Sequence, residues 1–415
     1  MAERVSAEIA IIGAGVIGLT TALRLASEGW EVVIIEPNEP GSGASHGNAG
    51  TIADYAVIPV GTPVVLRNLP SLLFNRDSPL SIRRSALLAL APWLLRFARQ
   101  SLPDAARRNA AALAALLADA QPAWRELAAE TGAEHLLRQD GCLYLYETKA
   151  AFASAGLDIA LRREHRVAQE LLSASDVAAL EPKLPPFEGG GVLFPHAVNL
   201  TDPAAMMNRL AIAGRAAGVQ LLAAKAERIE RTGSGVRVSA APFDIEAKTV
   251  IIAAGAHSKR LAAQAGDSVP LDTERGYHVE FDMETPPVSR PVCPTSKGFY
   301  LVPMAGRLRV AGTVELGGLS APANPRRIAL LERGAKSIFP ELGKPDRTWL
   351  GFRPSMPDSV PVIGPSRGGS DVILAFGHGH LGLTLAPVTA RIVGDLVAKR
   401  RAPPSAEACS PSRFW

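Results

Sequence analysis

Residues 8–36 read EIAIIGAGVIGLTTALRLASEGWEVVIIE, and this stretch decides the fold. Residues 8–12 (EIAII) are a short apolar run, read as a buried strand. The turn Gly13-Ala14-Gly15-Val16-Ile17-Gly18 follows, then the helical stretch Leu19–Ser27, which Gly29 ends. Residues 31–36 (EVVIIE) are the next strand, so the whole is a β-α-β unit. Gly13 permits the tight turn, Gly15 lets a pyrophosphate approach the backbone, and Gly18 lets helix and strand pack closely. The helix N-terminus presents free N–H groups to the phosphates. Glu36 ends the second strand, where its carboxylate can accept from both ribose hydroxyls of an adenosine and repel a 2′-phosphate.

The chain beyond this unit separates FAD from NAD. A nicotinamide enzyme of ordinary design continues with further β-α units, whereas residues 41–50 (GSGASHGNAG) are loop. Small residues recur after buried strands at 251–255 (IIAAG) and at 377–382 (GHGHLG), where a long cofactor can pass. The pattern favours FAD. Residues 82–131 are rich in Ala and Leu and predict two or more helices, broken near Pro92, Pro103 and Pro122. Asp202-Pro203 is a helix start, with Gly218 beyond the end. Short strands are expected within 219–230, 236–240, 244–254, 277–283, 299–303, 307–315 and 371–376, and a final helix over 383–399. Residues 402–415 read as a loose tail.

The fold class is α/β: a Rossmann-like FAD-binding domain and a substrate domain of antiparallel sheet plus helices. The discontinuous FAD domain takes 1–60, 190–265 and 345–400; the substrate domain takes 61–189 and 266–344; 401–415 is the tail. A chain of 415 residues with 47% hydrophobic and 20% charged residues has the core for two domains and is not disordered. The net charge of +4 is scattered, without a Lys/Arg run dense enough for nucleic acid. Cys142, Cys293 and Cys409 form no C-x-x-C pair, which fits a reducing compartment. No signal peptide or membrane span is evident, so a cytoplasmic location is expected.

Together, GAGVIGLTTALRLASEGWEVVIIE (13–36), SGASHGNAG (42–50), TVIIAAGAHS (249–258), GFRPSMPDSVPVIG (351–364) and FGHGHLGLTLAP (376–387) resemble the D-amino-acid oxidase-like superfamily of flavoproteins. Within it the chain is most similar to the small-subunit type of D-amino acid dehydrogenase, including D-hydroxyproline dehydrogenases. The resemblance implies cofactor contacts from Gly13 to Gly18, from Glu36 and Pro37, and from Ser45, His46, Gly47, Asn48, Ala49 and Gly50. It adds Ala226 at the adenine, Ala253, Ala254 and Gly255 beside the dinucleotide, and Gly379, His380, Leu381, Gly382 and Thr384 at the flavin pyrimidine ring. Arg353 matches the arginine that clamps the substrate carboxylate. Gly351 stands at the flavin-tethering position of some relatives; with no cysteine nearby, non-covalent FAD is expected.

The implied reaction moves a hydride from the substrate α-carbon to flavin N5 and leaves an imine. D-Proline and cis-4-hydroxy-D-proline are candidate substrates, and a quinone or another acceptor takes the electrons. A glycine- or sarcosine-oxidase-like enzyme using oxygen, and a non-catalytic FAD-binding subunit, are the alternatives. Three assignments stay open between function and structure. Tyr300 either helps bind the carboxylate or is sheet core, and Tyr277 and His278 either line the pocket or are ordinary strand residues. Residues 82–100, apolar with Arg83, Arg84, Arg96 and Arg99 at the ends, either lie on a membrane surface, as a peripheral inner-membrane protein would require, or pack on the sheet. His380 is expected at the flavin or the pocket; His378 and His380 lack a third ligand in any metal-site spacing, so no metal is expected.

Overall fold

The computed structural model describes residues 2–74 and 78–415. It opens with β1 (Glu3–Ile12), α1 (Val16–Ser27) and β2 (Val32–Ile35). Strand β1 pairs in parallel with β2 on one side and with Phe243–Ile252 on the other; Gln220–Leu222 extends the sheet beyond β2. The strand Gly369–Phe376 also runs parallel to Phe243–Ile252. Both faces of this sheet are covered. Ile9 and Ile11 of β1 join one apolar cluster with α1, while Ala10 and Ile12 join the other. That explains the continuous apolar run at 8–12 in place of an alternating one.

Helix ends follow the expected chemistry. Trp30 N–H reaches Leu25 O across the left-handed Gly29, closing α1. Asp202 Oδ1 accepts from the N–H groups of Ala204 and Ala205 and caps the helix Pro203–Ala216.

The second sheet runs in the order Arg347–Ser355, Asp272–Asp282, Arg307–Leu316, Phe299–Met304, Val292–Pro294, Cys142–Leu145, Gly191–Phe194, Glu170–Leu172. One face buries Tyr277, Val279, Phe281, Phe299, Leu301, Leu308 and Val310 with Leu331 and Ala335 of the helix Pro325–Lys336. The opposite face lies against the loop after β2.

Four expectations are corrected. Residues 191–194 and 347–355 were expected in the cofactor domain but are strands of the second sheet. Helix α1 begins at Val16, three residues early, because Gly18 already belongs to its first turn. Pro92 lies inside the helix Leu87–Gln100. The carbonyl it leaves unbonded belongs to Leu88, which is 92% exposed, so water can satisfy it. Residues 402–415 are not loose: they form 3-10 turns over Pro404–Cys409 and Pro411–Phe414, with Cys409 fully buried. Arg413 docks them by donating to Asp358 Oδ2 at 3.0 Å and to the carbonyl of Val360 at 2.7 Å.

Arg413→Ala should therefore destabilise the protein by about 1.5–3 kcal/mol, the scale of hydrogen bonds to charged groups. A lowered thermal midpoint with intact flavin content is the expected readout.

Candidate functional site

The phosphate end is built by backbone contact. A Cβ on Gly18 would stand 1.9 Å from Gly13 O, so only glycine lets α1 lie this close to β1. Ala14 N–H donates to Glu36 Oε2 at 3.0 Å, and Asn38 N–H donates to Glu36 Oε1 at 3.0 Å. The carboxylate is thereby fixed at the tip of β2, with Pro37 exposed beside it. Gly15 caps α1 without a side-chain bond, while Ser45 Oγ reaches across to accept from Val16 N–H at 2.9 Å. Ala253 N–H donates to Ile12 O, placing Ala253, Ala254 and Gly255 beside the same turn. Ala224 N–H donates to Glu36 O, and Ala226 lies two residues further along, partly buried against the core.

The loop 45–50 is held by its own carbonyls. Asn48 Nδ2 donates to Ser45 O, and Gly50 N–H donates to Asn48 Oδ1, both at 2.7 Å. Arg309 Nη1 donates to the carbonyls of His46 and Asn48. His278 bonds Gly47 O through Nδ1 at 3.0 Å, which makes Nδ1 the protonated nitrogen. Behind them, Glu280 accepts from Arg307, Arg309 and Arg347 at 2.8–2.9 Å. Burial would raise its pKa, but the arginines win and hold it at about 2.

Strand alternation builds the facing wall. Directly paired residues share a face. Tyr300 pairs with Ala311, Ala311 with His278, and His278 with Trp349. Gly276 pairs with Gly351, and Glu274 with Arg353. The Trp349 indole stacks on His278 with centroids 5.1 Å apart. A Cβ on Gly351 would stand 1.8 Å from that ring, and one on Gly47 2.3 Å from it. A Cβ on Gly276 would meet the Arg353 guanidinium at 2.4 Å, so the missing side chain is what lets Arg353 lie across the strand. There its Nη1 donates to Thr313 O at 3.0 Å. Thr313 sits at φ +60 in a bulge, a strained conformation for a β-branched residue that turns this carbonyl toward the arginine. Burial raises the pKa of the Glu274 carboxyl, and the Arg353 charge opposes it.

The turn after Gly369–Phe376 completes the wall. His378 is buried, and its Nε2 meets Thr389 Oγ1 at 2.9 Å. His380 keeps solvent-exposed surface, while the protein around it, Arg353 included, acts on its ring. Burial, aided by Arg353, lowers its pKa to about 4, so it is neutral at pH 7. Leu381 is core, and the buried Thr384 hydroxyl accepts from Ala53 N–H at 3.0 Å.

The structure thus gathers Gly13–Gly18, Glu36, Ser45 and Ala253–Gly255 at one end and Arg353, His380 and Tyr300 along the wall. It brings in residues the sequence reading left out: Tyr144, Glu274, Arg309 and Trp349. The signal for Trp349 was present in Trp349-Leu350-Gly351-Phe352-Arg353, whose odd positions share one face. His278 belongs to the wall, while Tyr277 faces the core and donates to Glu315 at 2.6 Å.

The sequence profile of the family described as DAO, FAD dependent oxidoreductase, matches residues 8–396. The chain is 37% identical over 416 residues to a D-amino-acid oxidase of Bradyrhizobium diazoefficiens, with 98% of each chain covered. It is 32% identical to D-amino acid dehydrogenase 2 of Ralstonia nicotianae, covering 97% of this chain and 98% of that one. Among solved structures it is similar to glycine oxidase from Geobacillus kaustophilus, with a TM-score of 0.76 at 24% identity, covering 98% of this chain and 99% of that one. The residues fit FAD: α1 starts without a side-chain cap of its own, Glu36 stands beside it, and a Cβ on Gly255 would meet nothing within 4 Å.

Two outcomes follow from this geometry. Glu36→Ala should weaken FAD binding at least ~10-fold, since a charge-assisted bond contributes about 1.5–3 kcal/mol; flavin retained on equilibrium dialysis measures it. Stability should also fall with acid. His278 and His378 have pKa values lowered by burial to about 4 and about 3, so the unfolded chain takes up their protons first, below about pH 6.5. Their contribution is complete above pH 6.5 and shrinks as pH falls toward 4 and 3, after which Glu280 repeats the loss between 4.5 and about 2. Thermal midpoints across pH 7 to 4 should decline, and His378→Gln should flatten the slope.

Proposed function

The chain belongs to the family of FAD-dependent oxidoreductases, and we propose that it catalyses the oxidative deamination of D-amino acids. Curated relatives named D-amino-acid oxidase and D-amino acid dehydrogenase support this reading. The observation that carries it is Arg353. Its guanidinium lies on the site wall over Gly276, with Glu274 acting on it through space. Such a cation can take a substrate carboxylate by two parallel hydrogen bonds, fixing position and rotation. Tyr300, on the same face, adds an O–H donor. A scaffold subunit has no use for this pair.

When bound, FAD supplies the hydride acceptor, and the product imine hydrolyses to a 2-oxo acid, or stays cyclic for a proline derivative. The chain's part is to hold the carboxylate so that the α C–H is presented in one orientation, and to exclude water. The start of the helix Gly382–Val397 carries the positive end of its dipole, suited to charge that develops on a reduced ring. The flavin is held without a covalent link, because Trp349 fills the space at Gly351 and no cysteine adjoins it. D-Proline and cis-4-hydroxy-D-proline are the substrates to test first.

The electron acceptor is a quinone or similar carrier in this reading. The Bradyrhizobium relative's name favours oxygen as the second reading. No helix of the described residues is long and apolar enough to cross a membrane. In Leu87–Gln100, Leu90 and Trp93 pack inward while Leu88 and Leu95 are exposed beside Arg96 and Arg99. That mixed face suits peripheral contact with an anionic bilayer.

Arg353→Lys should lower kcat/KM for a D-amino acid at least ~10-fold, since it keeps charge but loses the paired bonds. Arg353→Ala should lower it further at normal flavin content, and an amine without a carboxylate should be insensitive to both. Unchanged kinetics in Arg353→Ala would remove the clamp. Parallel assays with an artificial dye and with oxygen should favour the dye, and acid denaturation should release all flavin as free FAD.

A further inference from the structure

Tyr300 does not stand alone on the wall. Its hydroxyl lies 2.7 Å from the hydroxyl of Tyr144, on the strand Cys142–Leu145. Both rings are half-buried. Tyr55 lies edge-on to Tyr144 and stacks on Phe194 with centroids 4.1 Å apart. The Tyr55 hydroxyl is already spent on Cys142 Sγ at 3.1 Å. Beneath the pair, the buried Arg162 places its guanidinium carbon 5.5 Å from the Tyr144 ring centroid and 5.3 Å from that of Phe194.

A phenol has one proton and accepts through its oxygen. In an O–H···O pair one partner donates, and only the other keeps a proton for a ligand. The surroundings decide which. Burial raises the pKa of Tyr144 and Tyr300, so both stay neutral and both remain donors. The Arg162 cation over the Tyr144 ring draws electron density from that phenol and makes it the better donor. Burial raises the Cys293 thiol pKa too, so it stays an S–H. An anionic carboxylate is a far stronger acceptor than a phenol oxygen or a thiol.

We propose that Tyr144 is a positioning residue: it donates its proton to the Tyr300 oxygen and thereby commits the Tyr300 proton to the substrate carboxylate. The inference rests on the reading of Arg353 and Tyr300 as the carboxylate site and adds a partner to it. Two polarised O–H groups in series bind an anion more tightly than one phenol free to rotate.

The test is a double-mutant cycle on the flavin-loaded enzyme, with benzoate as an unreactive carboxylate probe read by its perturbation of flavin absorbance. Tyr144→Phe should weaken benzoate binding about fivefold to tenfold and raise KM for the D-amino acid by a similar factor, with kcat changed less than about twofold. Tyr300→Phe should do at least as much. The double variant should be no worse than Tyr300→Phe alone, because without the Tyr300 oxygen there is nothing for Tyr144 to orient. Flavin content and thermal midpoint report folding in every arm. Additive effects, or a Tyr144→Phe that binds benzoate normally while Tyr300→Phe does not, would overturn the proposal. If neither tyrosine matters but Arg353→Ala abolishes binding, the pair is refuted and the clamp survives. If Arg353→Ala is also silent, the carboxylate reading itself has failed.

Discussion

One buried carboxylate ties the site together. Glu280 is 4% exposed and is shared by Arg307, Arg309 and Arg347. Removing a carboxylate from water costs several kcal/mol, and the cost is offset only where partners satisfy its oxygens. Here they do, and each partner serves a second element. Arg309 holds the carbonyls of His46 and Asn48, and Arg307 reaches Asp202, the cap of Pro203–Ala216. The network therefore joins the second sheet, the loop after β2 and a helix of the first layer. The loop stays seated on the sheet because charges that are expensive to separate hold the two together.

Within that frame the wall is made of absences as much as of side chains. Gly276, Gly351 and Gly47 leave room, and Arg353 and Trp349 lie down in it. The same face carries Tyr300, His278 and Glu274, while the opposite face packs an apolar core around one buried ion pair, Arg275–Glu315 at 2.9 Å. A period-2 strand thus separates the chemistry from the packing without any extra element. Arg353 acts on both neighbours in this wall: it helps lower the pKa of His380 and opposes the rise that burial gives Glu274.

The local parts of this design were legible in the sequence. The β-α-β unit, its glycines and Glu36 lie within 29 consecutive residues and obey short-range rules. The Asp202 cap and the Gly29 stop are of the same kind. What was hidden is long-range. Arg309 and Asn48 are 261 residues apart, and no composition or spacing links them. The strand holding Arg353 contains Gly351 and Pro354, which strand interiors disfavour; Pro354 is tolerated because Arg347–Ser355 is an edge strand of its sheet. The tail read as loose, and long-range contacts order it: Arg413 meets Asp358 and the carbonyl of Val360, Trp415 meets Asp267, and Cys409 is buried. Tyr144 was invisible because its value lies wholly in what it touches.

The central claim is that this enclosed wall takes an amino acid by its carboxylate and yields electrons from it to the bound flavin. Anaerobic mixing of the purified holoenzyme with single D- and L-amino acids, followed by flavin absorbance, tests that directly. The account predicts that at least one D-amino acid bleaches the flavin within a single turnover, that its L-enantiomer does so far more slowly, and that Arg353→Ala stays oxidised with the same amino acid. A flavin left oxidised by every D-amino acid, or one bleached equally well by the Arg353→Ala variant, would contradict it.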